Sequence, residues 1–115
     1  MIQLPDAGQT EEISPEELKP LLDAGAIRLI DCREEDEYAL CRIEGARLVP
    51  LQQIPEKLGF VIGEEDLPVV VYCHHGVRSL NATRFLRAQG FAATFSLRGG
   101  IDAWSELIDP EVARY

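Results

Sequence analysis

Short apolar runs alternate with helix-like segments along the chain, and this alternation is the feature that most restricts the fold. The runs predicted to be strands are residues 12–13, 27–31, 46–49, 68–72 and 93–97. The predicted helices are residues 14–24, 34–39, 51–58, 79–89 and a last one around residues 103–107. Such alternation is typical of a parallel sheet with helices packed on its faces.

Several elements carry clear local signals. The continuous run of Val69, Val70 and Val71 is typical of a central parallel strand that is buried on both faces. Ser14 and Glu17 form the pattern of a capping box, which predicts a helix start. Within the other predicted helices, the side chains expected to face inward are Ile54 and Leu58 in one, and Ala82, Phe85, Leu86 and Gln89 in the next.

Length and cysteine content define the class of protein. The 115 residues suit one compact domain, and no apolar run reaches the roughly 18 residues of a membrane-spanning helix. The N-terminus does not resemble a secretory signal. The odd number of cysteines, three, favours free thiols and a reducing compartment, so we expect a cytoplasmic protein. Their spacing fits no structural metal site, and none is expected.

The net charge of −9 is unevenly distributed. Residues 1–40 hold 11 acidic and 3 basic side chains, whereas residues 73–115 hold 4 acidic and 5 basic ones. An acidic chain repels nucleic acids and anionic membranes, so neither is expected as a partner. The acidic N-terminal part is interpreted as a solvated surface or, alternatively, as a docking surface for a basic partner.

The strand over residues 68–72 leads directly into Cys73, and a short loop then precedes the next helix. Gly76 can adopt conformations closed to other residues, so this loop can turn its backbone N–H groups towards the sulfur. Those groups, the helix dipole and Arg78 would together lower the pKa of the thiol. We therefore predict a reactive thiolate that can also hold a terminal sulfur anion. The alternative is a core cysteine that happens to end a strand.

Four ordered motifs make the chain resemble the rhodanese family. They are Asp31-Cys32-Arg33-Glu34, Ile43-Glu44-Gly45-Ala46 with Val49-Pro50, Tyr72-Cys73-His74-His75-Gly76-Val77-Arg78-Ser79, and Leu97-Arg98-Gly99-Gly100-Ile101-Asp102-Ala103-Trp104. The resemblance implies an α/β three-layer fold, with a five-stranded parallel sheet and helices on both faces. Residues 10–110 are expected to form this domain, residues 1–9 an N-terminal lead-in and residues 111–115 a C-terminal tail.

The same resemblance implies sulfur transfer through a persulfide on Cys73, without a cofactor. The donor would be thiosulfate or a similar small molecule, and the acceptor a thiol or cyanide. The backbone amides of residues His74, His75, Gly76, Val77 and Arg78 would stabilise the bound sulfur. Related phosphatases use a loop one residue longer, so the shorter loop favours sulfur over phosphate.

The sequence also allows other functions. The chain could be a persulfide carrier for a protein partner in cofactor or tRNA thiolation. A redox or phosphatase-like enzyme and a non-catalytic binding module are further alternatives, although binding modules of this fold usually lack the loop cysteine.

Supporting roles are expected for three further residues. Arg33 is expected to brace the site by pairing with Asp31 or Glu34, and Ser79 follows the loop at the start of the helix.

Where the family usually has Pro, Glu44 is present, and Cys41-Arg42 stands in place of Gly-His. These departures are expected to alter the rim of the site and its specificity.

The remaining candidate side chains have a chemical and a structural interpretation. His74 or His75 could tune the thiolate, but side chains at these positions are expected to point to solvent. Cys41 could resolve or relay the Cys73 sulfur, or it could be a small half-buried residue. Cys32 is interpreted as a packing residue, and Trp104 as a core anchor for the last helix.

Overall fold

Five parallel strands form one sheet, in agreement with the predicted alternation. The computed structural model describes residues 3–115. The strands are β1 (Glu12–Ile13), β2 (Arg28–Asp31), β3 (Arg47–Leu48), β4 (Val69–Tyr72) and β5 (Thr94–Leu97). Their order across the sheet is β1-β5-β4-β2-β3. The prediction of a central strand is confirmed, because β4 lies between β5 and β2 and all four of its residues are buried.

Helices cover both faces of this sheet, as predicted. They are α1 (Pro15–Asp23), α2 (Glu35–Leu40), α3 (Leu58–Ile62), α4 (Val77–Ala88) and α5 (Gly100–Leu107). Alternate residues of a strand point to opposite faces. Val70 and Tyr72 accordingly pack with α1 and α5, whereas Val69 and Val71 pack with α3 and α4. Trp104 is buried in the first of these two cores, which confirms it as an anchor of α5.

The predicted helix over residues 51–58 is wrong as a single element. Two 3₁₀ turns, Leu51–Gln53 and Pro55–Lys57, precede the short helix α3. Pro55 has no N–H to donate to a carbonyl in the preceding turn, so a continuous α-helix is interrupted there. Ile54 is nevertheless buried, as expected from its position.

Helix α4 begins and ends earlier than predicted. It starts at Val77, directly after Gly76, and the loop after Cys73 is therefore shorter than the sequence indicated. Gln89 was expected on the inward face, but it lies beyond the last helical residue and is exposed. The buried side of α4 consists of Ser79, Ala82, Thr83 and Leu86.

The segment before β1 is more closely attached to the domain than a loose lead-in. Leu4 and Ala7 pack against the core, and the Arg87 guanidinium donates hydrogen bonds to the carbonyls of Ala7 and Thr10. Met1 and Ile2 of the predicted lead-in lie outside the described residues. None of the helices in residues 3–115 combines the length and the apolar character needed to span a membrane.

Candidate active site

Cys73 lies at the carboxyl end of the central strand, directly after β4. In open parallel sheets this edge is where ligands bind. The side chain is buried, with only 1% of the residue exposed. The sulfur is therefore surrounded by protein groups that can determine its charge.

Three groups from the start of α4 contact the Cys73 sulfur. The Gly76 N–H donates to Sγ at 3.1 Å and the Ser79 N–H at 3.4 Å. The Ser79 hydroxyl lies 3.4 Å from the same sulfur and 2.7 Å from the hydroxyl of Ser96 on β5. Ser79 is thus positioned by a neighbouring strand, while the helix start supplies the N–H groups.

Glycines at two helix starts shape this loop. Gly76 has φ 114°, a left-handed backbone conformation that residues with a side chain rarely adopt, and it turns the chain into α4. A Cβ on Gly100 would overlap the carbonyl groups of Cys73 and His74. The close approach lets Ile101 N–H donate to the Cys73 carbonyl at 2.9 Å. The start of helix α5 therefore holds the active-site loop in place.

The pKa of Cys73 is lowered to about 4. Hydrogen bonding from the Cys32 thiol is the largest cause, and it outweighs the effect of burial, which opposes ionisation. The Ser79 hydroxyl and the N–H groups of Ser79 and Gly76 lower the pKa further. At neutral pH the side chain is consequently a thiolate, as expected from the strand–loop–helix pattern.

Cys32 lies next to Cys73, one strand away. It packs in the same apolar core, as the sequence predicted, but it also faces the reactive sulfur. Its hydrogen bond to Cys73 and its burial raise the pKa of the Cys32 thiol, so this side chain keeps its proton. The contact with Cys73 could not be read from the sequence, because it depends on β2 and β4 being neighbours.

Arg33 and Asp31 form an ion pair whose side chains are both inaccessible to solvent. The guanidinium contacts the two carboxylate oxygens at 2.7 and 3.0 Å. It also donates to the Cys41 carbonyl and to the Tyr115 hydroxyl. Of the two partners considered from the sequence, Asp31 is paired with Arg33, while Glu34 is exposed at the start of α2.

Arg78 is paired with Glu37 of α2 rather than left free at the rim. Its two terminal nitrogens reach the two carboxylate oxygens at 2.7 and 3.0 Å. These hydrogen bonds lower the pKa of Glu37 to about 2, with a further contribution from the Tyr115 hydroxyl. The charge of Arg78 is thus largely compensated beside the loop.

The two histidines differ in their surroundings. His75 is exposed and its Nδ1 lies 3.9 Å from Asp102. His74, in contrast, is half-buried and stacks on the ring of Tyr115 at 3.8 Å. Its Nε2 is buried and has no hydrogen-bond partner among the described residues. The expectation that both side chains point to solvent therefore holds only for His75.

Three residues of this site were not found by sequence reasoning. Ser96 holds Ser79, Glu37 pairs with Arg78, and Tyr115 covers His74. Glu37 had a weak signal, because the acidic run at the start of α2 lies near the motif that contains Arg33. The predicted C-terminal tail gave no sign of its contact with the loop. No cluster of three metal-binding side chains occurs in residues 3–115.

This arrangement matches a family model. The model for the rhodanese-like domain matches residues 14–107, which is most of the chain. The chain belongs to the rhodanese-like domain family. The sequence resemblance and the three-layer fold are thereby confirmed.

Named relatives of this rhodanese-like chain are sulfurtransferases. It is 36% identical over 110 residues to the probable adenylyltransferase/sulfurtransferase MoeZ of Mycobacterium tuberculosis, covering 95% of this chain but only 28% of MoeZ. It is 34% identical to the thiosulfate sulfurtransferase GlpE of Shewanella oneidensis, covering 84% of this chain and 93% of GlpE. The human single-domain sulfurtransferase TSTD1 superposes with a TM-score of 0.74 at 28% identity, covering 85% and 97% of the two chains.

Proposed function

We propose that this protein is a sulfurtransferase that carries sulfur as a persulfide on Cys73. The observation that carries the proposal is a buried thiolate that accepts two backbone N–H hydrogen bonds at the start of a helix. Similarity to sulfurtransferases such as GlpE and TSTD1 supports the same reaction class.

In the first half-reaction the Cys73 thiolate attacks the outer sulfur of thiosulfate or a similar donor. A bond forms between Sγ and that sulfur, the sulfur–sulfur bond of the donor breaks, and its electron pair leaves with sulfite. A thiolate or cyanide then attacks the outer sulfur, and Cys73 leaves as the thiolate again. Covalent catalysis thus divides one transfer into two displacements.

Unused N–H groups of the loop support the binding of the outer sulfur. Within the described residues, the N–H groups of His75, Val77 and Arg78 have no hydrogen-bond acceptor. Two of them belong to the first turn of α4, where N–H groups lack partners within the helix. A persulfide anion in the loop would supply the missing acceptor, together with the N–H of Gly76 and the adjoining amide of His74.

Asp31, Arg33 and Ser79 have supporting roles in this proposal. The buried pair of Asp31 and Arg33 braces the end of β2, next to Cys73. Ser79 stabilises the negative sulfur through its hydroxyl and its N–H. Arg78 braces the rim through Glu37, so specificity for a small anion would come mainly from backbone N–H groups.

Intact mass spectrometry tests the proposal directly. After brief exposure to thiosulfate and rapid removal of the donor, the protein should gain the mass of one sulfur atom, and an equal amount of sulfite should appear. Cys73→Ala should abolish both signals, whereas Cys41→Ser, which also removes one thiol, should retain them. An unchanged mass together with no sulfite from the wild-type protein would overturn the proposal.

A carrier of sulfur for a protein partner is the second candidate. The chain corresponds to only 28% of the length of MoeZ, so a similar domain occurs as part of a larger protein. The net charge of −9 also disfavours the approach of a small dianion such as thiosulfate. Slow turnover with thiosulfate, combined with rapid sulfur loading by a cysteine desulfurase, would favour this candidate over the first.

The cytoplasmic location expected from the sequence stays a prediction. Three free cysteines are consistent with a reducing compartment. Fractionation of cells that produce the protein would test it.

A further inference from the structure

Cys32 and Cys73 occupy neighbouring positions on adjacent strands. The register between β2 and β4 pairs Asp31 with Tyr72, so the next residues, Cys32 and Cys73, follow opposite each other. The Cys32 N–H donates to the Tyr72 carbonyl at 3.0 Å, which continues the ladder at this point. Adjacent strands are about 4.8 Å apart, within the roughly 4.4–6.8 Å between the Cα atoms of a disulfide.

Both side chains point to the same face of the sheet. They belong to the apolar core that also contains Ile30 and Val71, the residues two positions earlier on each strand. Only 1% of each cysteine is exposed. The two thiols therefore lie side by side in a region from which bulk water is excluded.

The third cysteine, Cys41, lies on the opposite side of the sheet from Cys32 and Cys73. The sulfur of Cys41 lies 3.8 Å from the Arg33 guanidinium, on the side of the first core. Cys41 was the resolving thiol considered from the sequence, but the geometry favours Cys32 for that role.

We propose that Cys32 is a resolving thiol that releases the sulfur of the Cys73 persulfide as hydrosulfide. This inference rests on the proposed function, because it requires a persulfide on Cys73. A bond forms between the sulfurs of Cys32 and Cys73, and the bond between Cys73 and the outer sulfur breaks. The outer sulfur takes the electron pair of that bond and the proton of Cys32. The products are a disulfide and one hydrosulfide ion.

The charge distribution is consistent with this step. In the resting protein Cys73 is the anion, and Cys32 beside it stays protonated. Once Cys73 carries sulfur, the negative charge resides on the outer sulfur, towards the N–H groups of the loop. Cys32 then faces a sulfur that can be attacked, and its proton has an acceptor in the departing sulfide.

The overall electron balance defines a further activity. Two cysteine thiols are oxidised to a disulfide, and the sulfane sulfur is reduced to sulfide. One turnover needs no external acceptor. Repeated turnover requires a dithiol reductant that returns the disulfide to two thiols. The protein would then convert a sulfane-sulfur donor into sulfide with a dithiol as the source of electrons.

A single-turnover experiment tests this step with the full chain. The wild-type protein is loaded with thiosulfate, freed of donor and incubated without any added thiol or cyanide. Sulfide is followed by trapping with a bimane reagent, and the protein by non-reducing peptide mapping. We expect sulfide release equal to the persulfide consumed, with a disulfide between Cys32 and Cys73. The first-order rate should not depend on protein concentration, because the step is intramolecular.

Variants distinguish this route from transfer between molecules. Cys32→Ser and Cys32→Ala should form the persulfide, yet lose the intramolecular release of sulfide. Cys41→Ser is the matched control, and it should release sulfide as the wild-type protein does. The mapping of the wild-type disulfide does not depend on whether either Cys32 variant folds.

The outcomes separate the two proposals. Absence of the sulfite burst in the wild-type protein contradicts the proposed function itself. A normal burst followed by a stable persulfide, with no disulfide at Cys32, overturns only the resolving role. Sulfide release that persists in both folded Cys32 variants also overturns the resolving role of Cys32.

Discussion

The loops after β2 and β4 both begin with a cysteine that has an arginine nearby in the chain, but they give their cysteines opposite character. Each loop begins with a cysteine of which 1% is exposed, and an arginine in or just after each loop pairs with a carboxylate. Yet the pKa of Cys32 is raised, whereas that of Cys73 is lowered to about 4. Burial raises the pKa of both thiols, so burial alone does not explain why the pKa of Cys73 is lowered.

The hydrogen bond between the two thiols has the largest effect on both pKa values, and the supply of backbone N–H groups favours Cys73 as the thiol that ionises. After β4, Gly76 turns the chain directly into α4, and two N–H groups point at the sulfur. After β2, the Arg33 N–H donates instead to the carboxylate of Asp31, whose charge further opposes ionisation of Cys32. The path of the backbone, more than the identity of the neighbouring residues, decides which cysteine is reactive.

The arginines of the two loops give the largest expected difference in stability. Arg33→Met should lower the free energy of unfolding by about 3–5 kcal/mol, because Asp31 is left charged and unpaired in the interior. Arg78→Met is the matched control, since its pair with Glu37 is partly exposed and should contribute no more than about 1 kcal/mol. Urea denaturation measures both values. Equal losses would mean that burial does not set the strength of these pairs.

Removing the thiol of Cys32 should raise the pKa of Cys73 towards the value of an ordinary cysteine. Cys32→Ala deletes the largest cause of the lowered pKa of Cys73. A hydrogen bond to a charged group contributes about 1.5–3 kcal/mol, equivalent to roughly 1–2 pH units. The wild-type sulfite burst should be constant at neutral pH and decline as the pH falls through about 4, where the thiolate is protonated.

In Cys32→Ala this decline should begin at a higher pH, because the pKa of Cys73 is less depressed. Cys32→Ser, which retains a donor, should show a smaller displacement. An unchanged profile in Cys32→Ala would show that the loop N–H groups alone hold the thiolate.

The turn at Gly76 can be tested against a glycine far from the site. Gly76→Ala places a side chain in a left-handed conformation, which costs roughly 1–2 kcal/mol, and it should displace the N–H groups from Cys73. The sulfite burst should therefore slow markedly. Gly90→Ala carries a similar penalty at φ 101° with no atom within 4 Å of the new Cβ. Gly90→Ala should lower the stability of the protein but retain the sulfite burst. A comparable loss of activity in both variants would contradict the role of the turn at Gly76.

Much of the fold and the centre of the site could be predicted because their signals are local. The valine run, Cys73, Gly76 and the following helix are consecutive in the chain, so their geometry follows from propensities and from one turn. Helix α5 likewise follows from Gly99 and Gly100. The prediction of one helix over residues 51–58 is wrong because the apolar spacing suits a helix, while Pro55 interrupts the hydrogen bonds.

The remaining features depend on tertiary contacts that sequence patterns do not encode. Cys32 meets Cys73 only because β2 lies next to β4 in the strand order. Arg78 and Glu37 are 41 positions apart, and Tyr115 and Glu37 are 78 apart. No periodicity or motif connects such residues, so the rim of the site could not be predicted even though its central cysteine could.

The smallest expected effect concerns Tyr115, which joins the arginines of the two loops. Its hydroxyl donates to Glu37 at 2.7 Å and accepts from Arg33 at 2.8 Å. Tyr115→Phe keeps the ring on His74 but removes both hydrogen bonds, and should lower the free energy of unfolding by about 1 kcal/mol. Tyr38→Phe, which loses only a 3.4 Å contact to the Ala46 carbonyl, should cost less. If thermal or urea denaturation shows the opposite ranking, the Tyr115 hydroxyl does not couple the two loops, and each arginine is held by its own carboxylate alone.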